Sequence, residues 1–342
     1  MSAKPRVLSR DEELLAEELE ADPEFFTATL LGHDHWEVPR QILRALARRR
    51  ARVAVKACHS SGKTFVASDA VLWWTITGGI CVTTAPTWTQ VRKLLWAEVH
   101  KSHLRALYPL GGELLQTELK IAPDMYALGL STNEGVNFQG FHGKVLLVLD
   151  EAPGVQPDIW EAIEGIRASG DVRVLALGNP TIASGPFYDA FTTDRSGWQT
   201  FTIDAFDTPN LRGLTLEVLL ELPEPELDVA PRPYLTTRRW VREKYDEWGE
   251  LSPLWQARVR GEFPQQSEDA LLSLVWLEAA GYRELEPDEG DEWEAGIDVA
   301  GPGEDETVLA IRRGPRLYHL QGWRSRIPVA QCWRRWRPIR SV

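Results

Sequence analysis

Apolar residues along the chain fall into short runs that alternate with helix-period stripes. Arg52-Val53-Ala54-Val55 reads as a short buried strand, and beyond the stretch ACHSSGKT (Ala57–Thr64) the apolar positions Phe65, Val66, Ala67 and Val71–Trp74 recur with the period of a helix. The same order of strand, short loop and helix returns with Ile80–Thr84, Ala85-Pro86-Thr87 and then Val91, Leu94, Leu95, Trp96 and Val99. Val145–Leu149 is an unbroken apolar run, the pattern of a central parallel strand buried on both faces. A helix over Asp158–Ala168 and another buried strand over Val172–Leu177 follow. This alternation predicts an α/β fold around a central, mostly parallel sheet. Leu114–Ile121 and Met125–Leu130 alternate on either side of Pro123-Asp124, which predicts a hairpin.

The flanks read differently. Ser9–Asp22 is an acidic helix with Ser9 and Glu12 spaced for a capping box and a narrow stripe of Leu14, Leu15 and Leu19. His33-Asp34-His35 has the wrong spacing for one helix face and no further ligand nearby, so a surface loop is expected. Trp36–Arg50 forms a helix with Pro39 near its start and arginines complementing the dipole at its end. Ser131–Lys144 is a long polar loop with several glycines. Leu214–Pro233, rich in proline and acids, reads as a linker or extended loop, and Thr236–Trp248 and Pro253–Arg260 as helices. Ala295–Val299 opens a new strand, and Thr307–Arg312 with Arg316–Leu320 continues as a hairpin. The expected division is a helical appendage over 1–35, an α/β domain over 36–213, a linker followed by short helices over 214–290, and a last domain over 291–342.

Composition narrows the class. At 342 residues, 43% apolar, the chain has room for two ordinary domains. It lacks an apolar run of the ~18–20 residues a membrane span needs, and its start lacks the layout of a signal peptide. Three cysteines, Cys58, Cys81 and Cys332, without metal-ligand spacing suit a reducing compartment, so the expected location is cytoplasmic. A formal charge of −12 argues against a protein coated in nucleic acid but leaves room for a local basic channel. Most of the fifteen tryptophans lie on helix-period apolar faces and are read as core.

The chemistry concentrates at two strand ends. ACHSSGKT matches the phosphate-binding pattern G-x-x-x-x-G-K-[ST], with Ala57 in place of the first glycine. Backbone amides from Ala57, Cys58, His59, Ser60, Ser61 and Gly62, together with the positive end of the following helix, suit a polyphosphate. Lys63 reaches the outer phosphates and the Thr64 hydroxyl ligates Mg²⁺. Asp150-Glu151 ends the continuous apolar run, where two acids are costly unless a cation wants them. Asp150 fits a metal ligand and Glu151 a base for the attacking water. Gly178-Asn179-Pro180-Thr181 ends the next strand; Asn179 is a γ-phosphate sensor or part of an ordinary turn. Gln41, just upstream of the first core strand, has an amide able to read an adenine edge.

The ordered set VKACHSSGKT, TTAPTWTQV, FHGKVLLVLDEAPGV, ALGNPT, RVRGEFP and GIDVAGPGEDETVLAIRRG resembles the large subunit of tailed-phage terminases, the motor that packages DNA into capsids. The resemblance runs from about Trp36 to Gly314. It implies an ASCE-type P-loop ATPase domain, a lid, and an RNase H-like nuclease, with ATP and Mg²⁺ as cofactors. Residue by residue it implies Lys63 and Thr64 on phosphate and metal, Asp150 and Glu151 as the acid pair, Asn179 in the coupling segment and Gln41 on adenine. Asp298 matches the first metal-binding carboxylate of the nuclease, while Asp305 and Glu306 fall in a turn. Implied partners are double-stranded DNA, a portal protein and a small terminase subunit, with assembly into a homo-oligomeric ring and no membrane.

Two departures follow. Many members carry an arginine where this chain has His59, and a neutral imidazole cannot replace that charge, so another source is expected, such as a neighbouring subunit. The later nuclease carboxylates are missing before Val342, and the arginine- and tryptophan-rich segment Arg324–Val342 reads as a prematurely ended frame in preference to a basic DNA-contacting tail, so the nuclease half is expected not to work. The rival readings are a helicase-like ATPase, which needs a second RecA-like domain after about residue 220, and a prophage remnant that binds nucleotide or a partner without catalysis.

Overall fold

In a computed structural model the described residues are 9–130, 140–168, 170–264, 285–300 and 306–323. They divide into two compact units, Met1–Leu271 and Leu272–Val342. The strands of the first are β1 (Arg52–Ala57), β2 (Ile80–Thr84), β3 (Glu113–Leu115), β4 (Glu118–Ala122), β5 (Met125–Gly129), β6 (Lys144–Leu149), β7 (Asp171–Gly178) and β8 (Gln199–Ile203). They form one sheet in the order β3-β4-β5-β2-β6-β7-β1-β8. From β5 to β8 every pairing is parallel, and β3 and β4 add an antiparallel edge. The predicted hairpin around Pro123-Asp124 is β4–β5, but its first arm is broken by a turn that splits β3 from β4.

Burial on both faces explains the unbroken apolar runs. In β6, Leu146 and Val148 join one core with the helix Lys63–Ile76, while Val145, Leu147 and Leu149 join another with the helix Pro157–Arg167. In β1, Val53 and Val55 face the first core and Ala54 the second. Trp73, Trp74 and Trp96 are buried in the first core, as their helical spacing implied. Arg173 of β7 spans the layers: its guanidinium donates to Leu46 O and Ala47 O at 2.6 and 2.8 Å, satisfying carbonyls at the end of the helix Glu37–Leu46, and lies 4.4 Å from the Trp74 ring centroid.

The N-terminal helix Arg10–Ala21 has the expected Ser9–Glu12 capping box. Leu14 and Leu15 remain exposed, while Leu19 packs on the core and its carbonyl accepts from Trp73 Nε1. The segment expected to be a linker is instead folded. Leu216–Glu221 and Glu224–Leu227 are short helices whose Leu216, Leu219 and Leu227 enter the first core, since helical leucine spacing overrides the proline and acid content. Helices Arg238–Trp248 and Pro253–Arg258 follow as predicted.

The second unit contains an antiparallel sheet of β9 (Trp293–Asp298), β10 (Thr307–Arg313) and β11 (Arg316–Trp323) in the order β11-β10-β9. Every residue of β9 is exposed. The loop 131–139, residues 301–305 with Asp305, and the arginine-rich segment 324–342 with Cys332 lie outside the described residues. No helix among the described residues is long and apolar enough to cross a membrane.

Candidate nucleotide site

Sheet register brings the two chemical stretches together. Lys56 of β1 pairs with Gly178 of β7, and Leu149 of β6 pairs with Ala176. The residues following β1 and β6 therefore emerge on either side of the tip of β7, which carries Asn179. Its Nδ2 donates to Ala57 O at 2.6 Å, and its Oδ1 accepts from Lys63 Nζ at 3.2 Å. Lys63 Nζ also lies 3.3 Å from Glu151 Oε1.

The loop between β1 and Lys63 is held from three directions. Cys58 N donates to Ile203 O of β8 at 2.8 Å, His59 N to Arg258 O at 2.8 Å, and Thr236 N to Ser60 O at 3.0 Å. The Thr236 hydroxyl also donates to His59 O. Gly62 sits at φ +86, in the left-handed region, and starts the helix Lys63–Ile76. A side chain there would be strained and would reach the Leu235 methyl at 3.4 Å. The first amides of this fourteen-residue helix point out of its N-terminus, where an anion is favoured. The Ser61 hydroxyl oxygen is buried without a partner. A cavity of about 490 Å³ opens over the loop, bounded by residues 60–65, His33, Tyr234, Lys101 and Arg105.

Asp150 is only 1% exposed. Burial pushes its carboxyl from the ordinary 3.8 up to about 6; the Lys63 charge opposes this, the Glu151 charge adds to it, and Glu151 N and the Thr64 hydroxyl donate to the carboxylate. Thr64 and Asp150 thus share one hydrogen bond across the gap between the loop helix and β6. Paired hydroxyl and carboxylate oxygens, with the carboxylate buried and short of positive charge, fit a hard cation such as Mg²⁺. Glu151 adopts φ +50, rare for a residue with a side chain. Its half-buried carboxylate faces the loop lysine.

Burial first, then the charges of Lys63 and Arg258, hold the His59 imidazole below its usual value and disfavour its charged form. It therefore supplies no charge in place of the missing arginine. Arg105 has no ion pair among the described residues, and Lys101 is paired with Glu98 at 3.0 Å.

Two expected site residues stand apart. Gln41 is exposed, its Nε2 donating to Glu37 Oε1 one turn back at 2.8 Å, and it does not line the loop cavity; its helix turns it to solvent while Ile42 and Leu43 face the core. Asp298 ends β9 in the other unit, exposed, and joins no cluster of three ligand side chains among the described residues.

Two further residues, neither given a role from the sequence, brace the loop. Asn210, 0% exposed, donates to Arg232 O at 2.9 Å and Thr236 O at 3.0 Å and accepts from Arg232 N at 2.8 Å, shaping the segment that clasps the loop. Gly261, at φ +62, lets the backbone pass where a Cβ would lie 2.4 Å from Ile203 O and 3.1 Å from Cys58 N. It lies inside RVRGEFP, so that motif braces the base of the loop, and Glu262 pairs with Lys56 there.

No protein-family model matches the chain. Over 169 residues it is 32% identical to the probable terminase large subunit of Enterobacteria phage P7, a match covering 49% of this chain and 31% of that protein. The chain thus spans about a third of that relative's length. In fold it is similar to the large terminase ATPase domain of Thermus phage P74-26. One structure, of a point variant, superposes with a TM-score of 0.50 at 19% identity, covering 70% of this chain and 98% of that one. A second structure of that domain gives 0.49 at 18% identity over the same shares.

Proposed function

We propose that this chain, a relative of phage terminase large subunits with the fold of their ATPase domain, is the ATP-hydrolysing motor subunit of a DNA-packaging terminase. The observation that carries the proposal is the convergence of Lys63, Glu151 and Asn179 within 3.3 Å contacts, beside the buried Asp150 and Thr64. The chemistry is attack of water on the γ-phosphate. Loop amides and the helix N-terminus receive the phosphates, and Lys63 exchanges its contacts with Glu151 and Asn179 for phosphate oxygens. That exchange frees the Glu151 carboxylate to accept the proton of the attacking water. Asn179, bonded to both the loop backbone and Lys63, registers whether the lysine has turned and relays it to the tip of β7. Asp150 and Thr64 would hold Mg²⁺, which when bound offsets phosphate charge.

The proposal extends to ATP as nucleotide and to the host-cell cytoplasm as location. Its partners would be double-stranded DNA, a portal protein and a small terminase subunit, and assembly would be into a ring whose neighbouring subunit supplies the charge His59 lacks. Asp298 is carried as the first carboxylate of an RNase H-like unit, a role that needs further acids to join it. The relative found by sequence is a probable terminase large subunit, which favours the motor reading over the helicase one. The test is DNA-stimulated ATP hydrolysis by the purified chain. Lys63→Ala should abolish turnover with the far-UV spectrum and melting cooperativity retained; unchanged turnover would remove the site from the account.

A further inference from the structure

His33-Asp34-His35 is not the surface loop its spacing suggested. The segment is non-helical, between a helix that ends at Leu31 and one that starts at Glu37, and both imidazoles turn inward while Asp34 stays exposed. They meet a carboxylate that no reading of the local spacing could supply, that of Asp69 on the loop helix Lys63–Ile76. His33 Nδ1 and His35 Nε2 lie 2.8 and 2.7 Å from the same oxygen, Asp69 Oδ2. One ligand atom from each of the three residues lies within 4.8 Å of the others. Asp69 and His35 are buried, and His33 is half-buried.

Among the described residues no lysine or arginine pairs with Asp69; its only hydrogen-bonding side chains are the two imidazoles. A buried carboxylate without a cation is expensive. We propose that His33, His35 and Asp69 form a binding site for a divalent transition metal of the zinc class. Two imidazole nitrogens and one carboxylate oxygen are a donor set that such ions prefer and that Mg²⁺ does not. Seating the ion requires the two short contacts to open to about 3.3 Å, the edge of a tetrahedron with ~2.0–2.1 Å bonds. A cavity of about 200 Å³ bounded by Thr27, Gly32, His33 and His35 gives a route in and room for water as fourth ligand. The Phe65 ring closes another side, its centroid 4.5 Å from that of His33 and 5.1 Å from that of His35. Because Asp69 and Thr64 share a helix, the ion would pin the segment before Glu37 to the same helix that receives the phosphates.

The experiment uses the full chain, stripped with chelator and titrated with Co²⁺ and then Zn²⁺, read by visible absorption, calorimetry and melting temperature. Expected are one equivalent of Co²⁺ with a tetrahedral d–d spectrum, displacement by Zn²⁺ but not by excess Mg²⁺, and a melting rise of about 5 °C at a hundredfold excess over Kd. Asp69→Asn should weaken binding at least tenfold. Should that variant fail to fold, His33→Gln, at the half-buried position, gives the same reading with the fold kept. No Co²⁺ spectrum at saturation, or binding that survives in both His33→Gln and His35→Gln, would overturn the site and leave direct imidazole–carboxylate hydrogen bonds as the whole explanation.

Discussion

Asp150→Asn tests whether the acid at the end of β6 is held at a cost to the fold. In the folded protein its carboxyl is pushed from 3.8 to about 6, chiefly by burial. At ~1.4 kcal/mol per pH unit, the ionised form is disfavoured by about 3 kcal/mol relative to the unfolded chain. The sign follows from the direction of the shift: a raised carboxyl pKa means the folded state holds the proton more tightly. The penalty is complete above pH ~6, shrinks as pH falls through the folded value, and vanishes below the unfolded value near 4. Asparagine keeps the shape, still accepts from Glu151 N, and carries no charge. Nucleotide-free Asp150→Asn should therefore unfold with a midpoint higher than the parent by up to about 6 °C at pH 7.5, with the difference gone near pH 4. Circular dichroism melts across that pH range read both numbers, and the same variant should be inactive in ATP hydrolysis. A variant less stable than the parent at pH 7.5, or a gap that does not change with pH, would refute the reasoning.

Other substitutions probe the contacts around the loop. Asn179→Ala strips the bond to the Ala57 carbonyl and a partner of Lys63, and should cost about 1–3 kcal/mol in urea unfolding while lowering kcat. Asn210→Ala removes the bonds that shape residues 232–236, so ATP affinity, measured by fluorescent-nucleotide titration, should fall together with stability. Gly261→Ala forces a Cβ to 2.4 Å from Ile203 O at φ +62, and should destabilise by about 1–3 kcal/mol and loosen the loop, seen as faster amide exchange at Cys58 and His59. Gln41→Ala, altering an exposed side chain bonded only to Glu37, should leave nucleotide affinity within about twofold; a tenfold loss would restore its adenine role.

The sheet was legible because β1, β6 and β7 are buried on both sides, and strands in that setting are apolar at nearly every position, Lys56 and Arg173 being the buried charged exceptions. The terminase likeness was legible in the spacing of several motifs together, and half the chain is matched by a relative of that name. Contacts distant in sequence were not. That Asn179 lies between the loop and the acid pair follows only from strand order, with β7 inserted between β1 and β6. The imidazoles of His33 and His35 find their carboxylate on the far side of the loop, and Asn210 works on a segment more than twenty residues away. Composition misled at 214–233, where prolines at helix starts are compatible with short helices and the leucines decide. Gln41 shows the limit of position along a helix: the residue is near the core strand in sequence, yet the face it occupies is the solvent face.

On the proposed function, loop and acid pair form one hydrolytic centre with Glu151 as its base. Single-turnover hydrolysis of ATP by Glu151→Gln, alongside a direct measurement of ATP binding, addresses it most squarely. The account predicts ATP bound about as tightly as by the parent and a chemical step slowed by about 10³-fold, within the range for loss of a general base. Hydrolysis at the parental rate with ATP still bound would contradict it.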